Sequence, residues 1–280
     1  MTATPLELVY LSIALVAGAV GAMVGVGGGV ILIPALTVMG VDVRLAVGAS
    51  LISVIATSSG AAAAYVRERL TNVRVAIFLE MFTTSGALVG AIAQGWISSR
   101  VLSFLFAGAL VLSGAGMVYK MLRVARTEST GGARDFAARL GMNASYRDPA
   151  TGKRVDYRLR HMGIGSGMMF IAGSVSGLLG IGSGALKVPA MDLALGMPMK
   201  ASSATSDFMI GVTAAASLGA YYARGQLVPG LVMPVALGAA IGSVVGTRLL
   251  ARLHNRWIQG AFLLVLLAMA GEMIAQGLRR

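Results

Sequence analysis

An apolar segment broken by glycines occurs twice in this chain. Residues 25–34 read GVGGGVILIP and residues 180–189 read GIGSGALKVP. At an offset of 155, Gly25, Gly27, Gly29 and Pro34 fall on Gly180, Gly182, Gly184 and Pro189. One added residue moves the offset to 156. Gly40, Arg44, Ser50, Thr57, Tyr65, Gly86, Gly90 and Arg100 then fall on Gly196, Lys200, Ser206, Thr213, Tyr221, Gly242, Gly246 and Arg256. The chain therefore reads as two copies of one unit, residues 1–122 and 161–280, joined by residues 123–160.

The setting of both copies is hydrocarbon. Of the 280 residues 56% are apolar and 12% charged, against roughly 25% charged in a soluble domain. Apolar stretches long enough to span a bilayer recur at 75–97, 101–119, 161–181, 204–223, 227–251 and 257–278. Residues 6–24, with no basic residue ahead of them, read as a retained membrane segment rather than a cleaved leader. The ten-residue alternation of a membrane barrel is absent. The fold class is an all-α polytopic membrane protein. Each half is a glycine-broken helix or hairpin followed by three transmembrane helices.

Net charge is +12, and residues 120–160 carry ten Lys/Arg against four Asp/Glu. Such a run is the expected mark of a cytoplasmic loop; nothing else points to nucleic acid. With that loop inside, the remaining charges arbitrate between parallel and inverted halves. Inversion places Lys200, Arg248, Arg252 and Arg256 inside, and the first 43 residues, free of Lys and Arg, suit an outside N-terminus. The expectation is inverted repeats, with the two glycine breaks facing each other near the midplane.

Glycine weakens a helix and proline breaks one. Inside a bilayer, non-helical backbone persists only where protein or a water-filled cavity satisfies it. The glycines are expected to end one helix, and a short helix to start at about Val30 and again at about Ala185. A helix start carries unpartnered amides and the positive end of the dipole, a ready anion site. Interrupted segments at matching places in two repeats are also the best sequence pointer to a secondary transporter. Gly27, Gly28 and Gly29, with Gly182, Ser183 and Gly184, are the candidate binding backbone. Gly86, Gly90, Gly242 and Gly246 instead form small-residue faces for close helix packing.

Charged residues inside apolar segments need a partner or a function. Lys187 lies three residues past the second break, Asp207 early in the following span, and Glu80 inside VRVAIFLEMFTTSG. Lys187 is a candidate for substrate contact, with Asp207 as the ion-pair partner proposed for it. Asp207 and Glu80 are candidates for coupling transport to a proton or cation, and pairing with Lys187 is the structural alternative for both. Asp192 and Glu272 fall nearer the ends of their segments. Among hydroxyls, the matched pairs Ser50/Ser206 and Thr57/Thr213 are the candidates to line a site. The chain has no cysteine, and its two histidines, His161 and His254, sit at predicted helix ends. The lack of cysteine excludes disulfides, thiol catalysis and thiolate metal sites, and the placement of the histidines argues against a histidine metal site or triad, so the expectation is no enzyme, no metal and no cofactor.

In the central loop, RDFAARLGM suggests a short amphipathic helix. SYRDPATGKRVDYRL carries turn signals between Tyr146 and Tyr157 and predicts a small hairpin. The simplest expectation for this loop is a solvated insert, with a lid or partner-binding element as the other reading. Trp96, Trp257, Tyr65, Tyr221 and Tyr222 are expected as interface anchors.

GAMVGVGGGVILIPALTVMGVDVRLAVGASLISVIATSSGAAAAYV, its twin GLLGIGSGALKVPAMDLALGMPMKASSATSDFMIGVTAAASLGAYY, and the trailing GALVGAIAQGWIS and GAAIGSVVGTRLLARL resemble the sulfite exporter TauE/SafE family. The resemblance covers nearly the whole chain apart from 123–160. It implies a transporter, and most simply an exporter, of sulfite, sulfoacetate or a related sulfur-containing anion across the bacterial inner membrane. The second half departs from the pattern at Gly182-Ser183-Gly184, Lys187 and Asp207. An anion-selective channel, or a transporter of a different small anion, is the alternative. The expected partners are the small anion and membrane lipid; a homodimer is one assembly the sequence allows.

Overall fold

The computed structural model describes residues 5–24, 27–122, 142–147, 154–182 and 184–250. Near the C-terminal end it describes 263, 267–275, 277 and 278. The first half contains α1 (Pro5–Val24), α2 (Gly29–Val38), α3 (Val43–Arg67), α4 (Val73–Gln94) and α5 (Ser99–Leu122). Strands β1 (Ala144–Arg147) and β2 (Arg154–Tyr157) follow. The second half contains α6 (Met162–Leu179), α7 (Gly184–Leu195), α8 (Met199–Ala223) and α9 (Pro229–Leu250), with residues 267–275 also helical. Among the described residues, five helices are long and apolar enough to cross a membrane: α1, α3, α4, α6 and α9. Apart from one hairpin the described fold is all-α.

Local chemistry sets the helix ends. Asp42 caps α3 by accepting from the Arg44 amide at 2.8 Å, and Asn72 caps α4 by accepting from the Val75 amide at 3.3 Å. Gly180 closes α6 in the left-handed conformation, φ 67°, which costs a glycine little.

Lipid tails are as apolar as the helices, so association rests on close packing. Two helix pairs use glycine for it. A side chain at Gly238, Gly242 or Gly246 of α9 would strike the α1 carbonyls of Leu11, Leu15 and Ala19 in turn. Gly86 and Gly90 of α4 abut the α6 carbonyls of Phe170 and Ser174, and Gly173 and Gly177 of α6 abut those of Thr83 and Ala87. Both pairs advance in step, so each runs parallel. Each also joins the first helix of one half to the fourth helix of the other. Between them, α3 and α8 pack in opposite senses: Gly48 meets the Gln226 carbonyl, Ser58 meets Gly211, and the Asn72 amide donates to Thr205 Oγ1 at 3.1 Å.

The hairpin is not a solvated insert. Ala144 pairs with Tyr157 and Arg147 with Arg154 in antiparallel register. Met142, Tyr146, Tyr157 and Leu159 are buried in one apolar cluster with Leu70, Val75, Met191, Leu195 and Ala201. Burying each large apolar side chain at this aqueous end contributes about 1.5–3 kcal/mol. Asn72 fastens the hairpin, donating Nδ2 to the Met142 carbonyl at 2.8 Å and to Tyr157 Oη at 3.0 Å. The amphipathic segment expected at 134–142 lies outside the described residues except for Met142.

The interface-anchor expectation needs one correction. Trp96 and Tyr222 are exposed, but Tyr221 is fully buried and its hydroxyl donates to the Gly177 carbonyl at 2.5 Å. Trp257 lies outside the described residues.

Candidate functional site

Both glycine breaks end where short helices begin, at Gly29 and Gly184, one residue from the expected starts. Gly27 and Gly182 take positive φ, 83° and 62°, so a side chain at either is strained. The two breaks meet. A Cβ on Gly29 would lie 2.9 Å from the Gly180 carbonyl oxygen and 3.4 Å from Ile181 Cα. Val54 of α3 touches the Cβ positions of Gly27, Gly29 and Gly182, wedging the two together. Ser50 Oγ donates across to the Gly180 carbonyl at 2.6 Å, tying α3 of the first half to the second break.

Beside this junction lies a buried charge line. Lys187 projects from the first turn of α7 and is fully buried. Its Nζ donates to Thr213 Oγ1 at 2.5 Å, and Thr213 Oγ1 lies 2.6 Å from Glu80 Oε1. Nζ stands 3.7 Å from Glu80 Oε2. The Thr213 hydroxyl accepts from Lys187 and has two acceptors in reach, Glu80 Oε1 at 2.6 Å and the Met209 carbonyl of its own helix at 3.0 Å, the carboxylate being the closer, so it lies between the two charges. Thr83 and Thr84 add hydroxyls 3.1 and 3.0 Å from the two Glu80 oxygens. Burying either charge alone would cost several kcal/mol; the pair offsets that cost only while both members stay. Ile210, one turn before Thr213 on α8, is 2.9 Å from a Cβ on Gly182, so the charge line borders the second break.

The ion-pair partner of Lys187 is thus Glu80 from the other half, not Asp207. Asp207 is buried on α8, 3% exposed. Of the matched hydroxyls, Thr213 enters the charge line and Ser50 ties the breaks. Thr57 bonds its own helix at the Ser53 carbonyl, 2.9 Å. Ser206 Oγ is buried with no hydrogen-bond partner among the described residues. Gly28 is buried at the start of α2. Ser183 lies outside the described residues. Ser53 was not a sequence candidate: its Oγ is buried, has no partner among the described residues, and stands 2.9 Å from a Cβ on Gly28. Its position in the second half holds Met209, so the repeat gave no signal for it. Among the described residues no group of three or more His, Cys, Asp or Glu is placed to hold a metal.

Residues 10–273 match the sulfite exporter TauE/SafE family. The chain belongs to that family. It is 24% identical over 279 residues to the "Probable membrane transporter protein YunE" of Bacillus subtilis (strain 168), covering 97% of this chain and 98% of the relative. No solved structure matches. Family membership and the apolar helices make this an integral, multi-pass membrane transporter.

Proposed function

We propose that this TauE/SafE member is a secondary transporter that exports a sulfur-containing anion, such as sulfite, sulfoacetate or a related organosulfonate, across a bacterial inner membrane. The observation that carries the reading is the fully buried Lys187 ammonium at the start of α7, beside two abutting glycine breaks. An ammonium has three donors. One is held by Thr213 and the Glu80 carboxylate lies within reach of another, so a small oxyanion can take a third. Glycine and the open Ser53 hydroxyl supply neutral donors close by. Anion arrival weakens the hold of Lys187 on Glu80, which makes Glu80, with Asp207 six residues before Thr213 on α8, the candidate coupling group.

Alternation between two faces fits inverted halves. The exchange of partners between α1/α9 and α4/α6, and the opposed directions of the equivalent helices α3 and α8, support a twofold axis lying in the membrane plane. The test is uptake by vesicles reconstituted with purified full-length chain. Sulfite, sulfoacetate, taurine, thiosulfate and sulfate are offered, with Lys187→Met as the comparison. Saturable transport of at least one, lost in Lys187→Met, is expected. Non-saturating flux would favour the channel reading, and equal transport by the variant would remove Lys187 from the site.

A further inference from the structure

Two guanidiniums and two glutamines meet at the end of the bundle opposite the hairpin. Arg44, at the start of α3, donates Nη2 to the Ile97 carbonyl at 2.7 Å. Arg224, just after α8, donates Nη1 to the Ala91 carbonyl at 2.6 Å and to Gln94 Oε1 at 3.3 Å, and Nη2 to the Ile92 carbonyl at 2.8 Å. Gln226 Nε2 reaches the same Gln94 oxygen at 3.4 Å. A Cβ on Gly95 would sit 2.9 Å from Arg224 Cζ, so both guanidiniums flank the turn that follows α4.

This cluster is incompletely satisfied. Arg44 Nε, Gln94 Nε2 and Gln226 Oε1 are buried and have no hydrogen-bond partner among the described residues. Gln94 is fully buried and Gln226 is 7% exposed. Leaving such groups without partners is costly, so each calls for a partner or a role. Among the described residues the guanidinium hydrogen bonds go to neutral carbonyls and one amide, and an Asp42 carboxylate oxygen accepts from the Arg44 amide at 2.8 Å. Capping the C-terminal carbonyls of α4 accounts for the Nη groups of Arg224. It does not account for Arg44 Nε or Gln94 Nε2.

Packing does not demand this chemistry either. By the repeat offset, Arg44, Gln94, Arg224 and Gln226 correspond to Lys200, Leu250, Glu68 and Leu70. The equivalent positions of the other half carry leucine in place of both glutamines, and an acid in place of Arg224.

We propose that Arg44, Gln94, Arg224 and Gln226 form a second anion site, for a small sulfur oxyanion, at the mouth of the transport path remote from the hairpin. The ligand class rests on the transport reading above. Arg44 Nε and Gln94 Nε2 donate to the anion's oxygens, the two cations balance its charge, and Gln226 Oε1 accepts from a water or a protonated oxygen of the ligand. The site holds the anion before or after its passage at Lys187, on the outer face in the inverted arrangement.

Trp96 gives the readout, because it lies exposed in the turn between Gln94 and Ile97. The only other tryptophan is Trp257, so Trp257→Phe leaves one reporter. Purified full-length chain in that background is titrated with methanesulfonate and with sulfate, with chloride as the ionic-strength control. A saturable change in Trp96 emission is expected. Gln94→Glu preserves side-chain size but hands the guanidiniums a carboxylate. It should weaken the response about tenfold to a hundredfold while the melting temperature holds or rises. Arg44→Lys keeps the charge, loses the Nε donor, and should weaken it less. Lys187→Met, or Lys187→Met with Glu80→Gln if the single variant is unstable, should leave it intact. No saturable response to either probe, an undiminished response in Gln94→Glu, or loss of the response in the Lys187 variants would overturn the proposal. Vesicle transport without a Trp96 response would sink this site alone, whereas a Trp96 response without transport would sink the proposed function alone.

Discussion

Replacing Lys187 by methionine keeps the side-chain bulk and leaves Glu80 without its cation. At 3.7 Å the two charges attract by about 4–5 kcal/mol if the effective dielectric is about 20. Removing one member of a buried pair costs about 3–5 kcal/mol in general. Here Thr83, Thr84 and Thr213 still offer hydroxyls to the carboxylate, which places the expected loss near the lower bound, about 3 kcal/mol. The assay is an unfolding titration in detergent, run on wild type, Lys187→Met, and two double variants. Lys187→Met with Glu80→Gln should recover to within about 1.5 kcal/mol of wild type, because no unpaired charge remains. Lys187→Met with Asp207→Asn should recover nothing. If the second double variant recovers and the first does not, Asp207 is the true partner and the charge line described above is wrong.

The inverted arrangement predicts that cysteines at Arg69, between α3 and α4, and at Val228, between α8 and α9, label from opposite faces of the membrane. The natural chain has no cysteine to interfere, and labelling of both from one face would exclude inversion. Gly86→Val drives a side chain into the Phe170 carbonyl on α6, so it should cost several kcal/mol, about 3 or more, and prevent stable insertion; normal yield and stability would refute the packing. Tyr157 is outside the spanning helices, and burial pushes its phenol above the ordinary tyrosine value. Because the folded state disfavours the phenolate, its contribution is fully present below about pH 10. It is lost as pH rises beyond that, and Tyr157→Phe should flatten the alkaline fall in melting temperature. The same variant removes the acceptor for Asn72 Nδ2 and should cost about 1 kcal/mol at neutral pH.

Much of this protein is written along the chain itself. Two copies of an interrupted apolar segment fix the number of halves, the places where helices stop and the membrane setting. These are local consequences of glycine, proline and hydrocarbon length. The short helices begin at Gly29 and Gly184, one residue from where the glycine runs put them, because helix termination is decided by backbone freedom within a few residues. The turn signals between Tyr146 and Tyr157 likewise suffice for a hairpin.

What the chain could not state is which side chains meet across the two halves. Asp207 looked like the partner of Lys187 because it is the next acid but one along the sequence, on the adjoining helix. Thr213, six residues further along α8, is the residue that Lys187 reaches. At about 100° per residue, six steps leave Asp207 and Thr213 about 120° apart around the helix, so both cannot face the same neighbour. The facing acid is Glu80, brought in by the packing of α4 on α8. The hairpin's docking on Asn72, the burial of Tyr221 and the bonding of both Arg44 and Arg224 to the end of α4 and its following turn have the same origin. They depend on how helices from separate halves cross, and that is set by glycine faces packing in three dimensions rather than by any pattern within one segment.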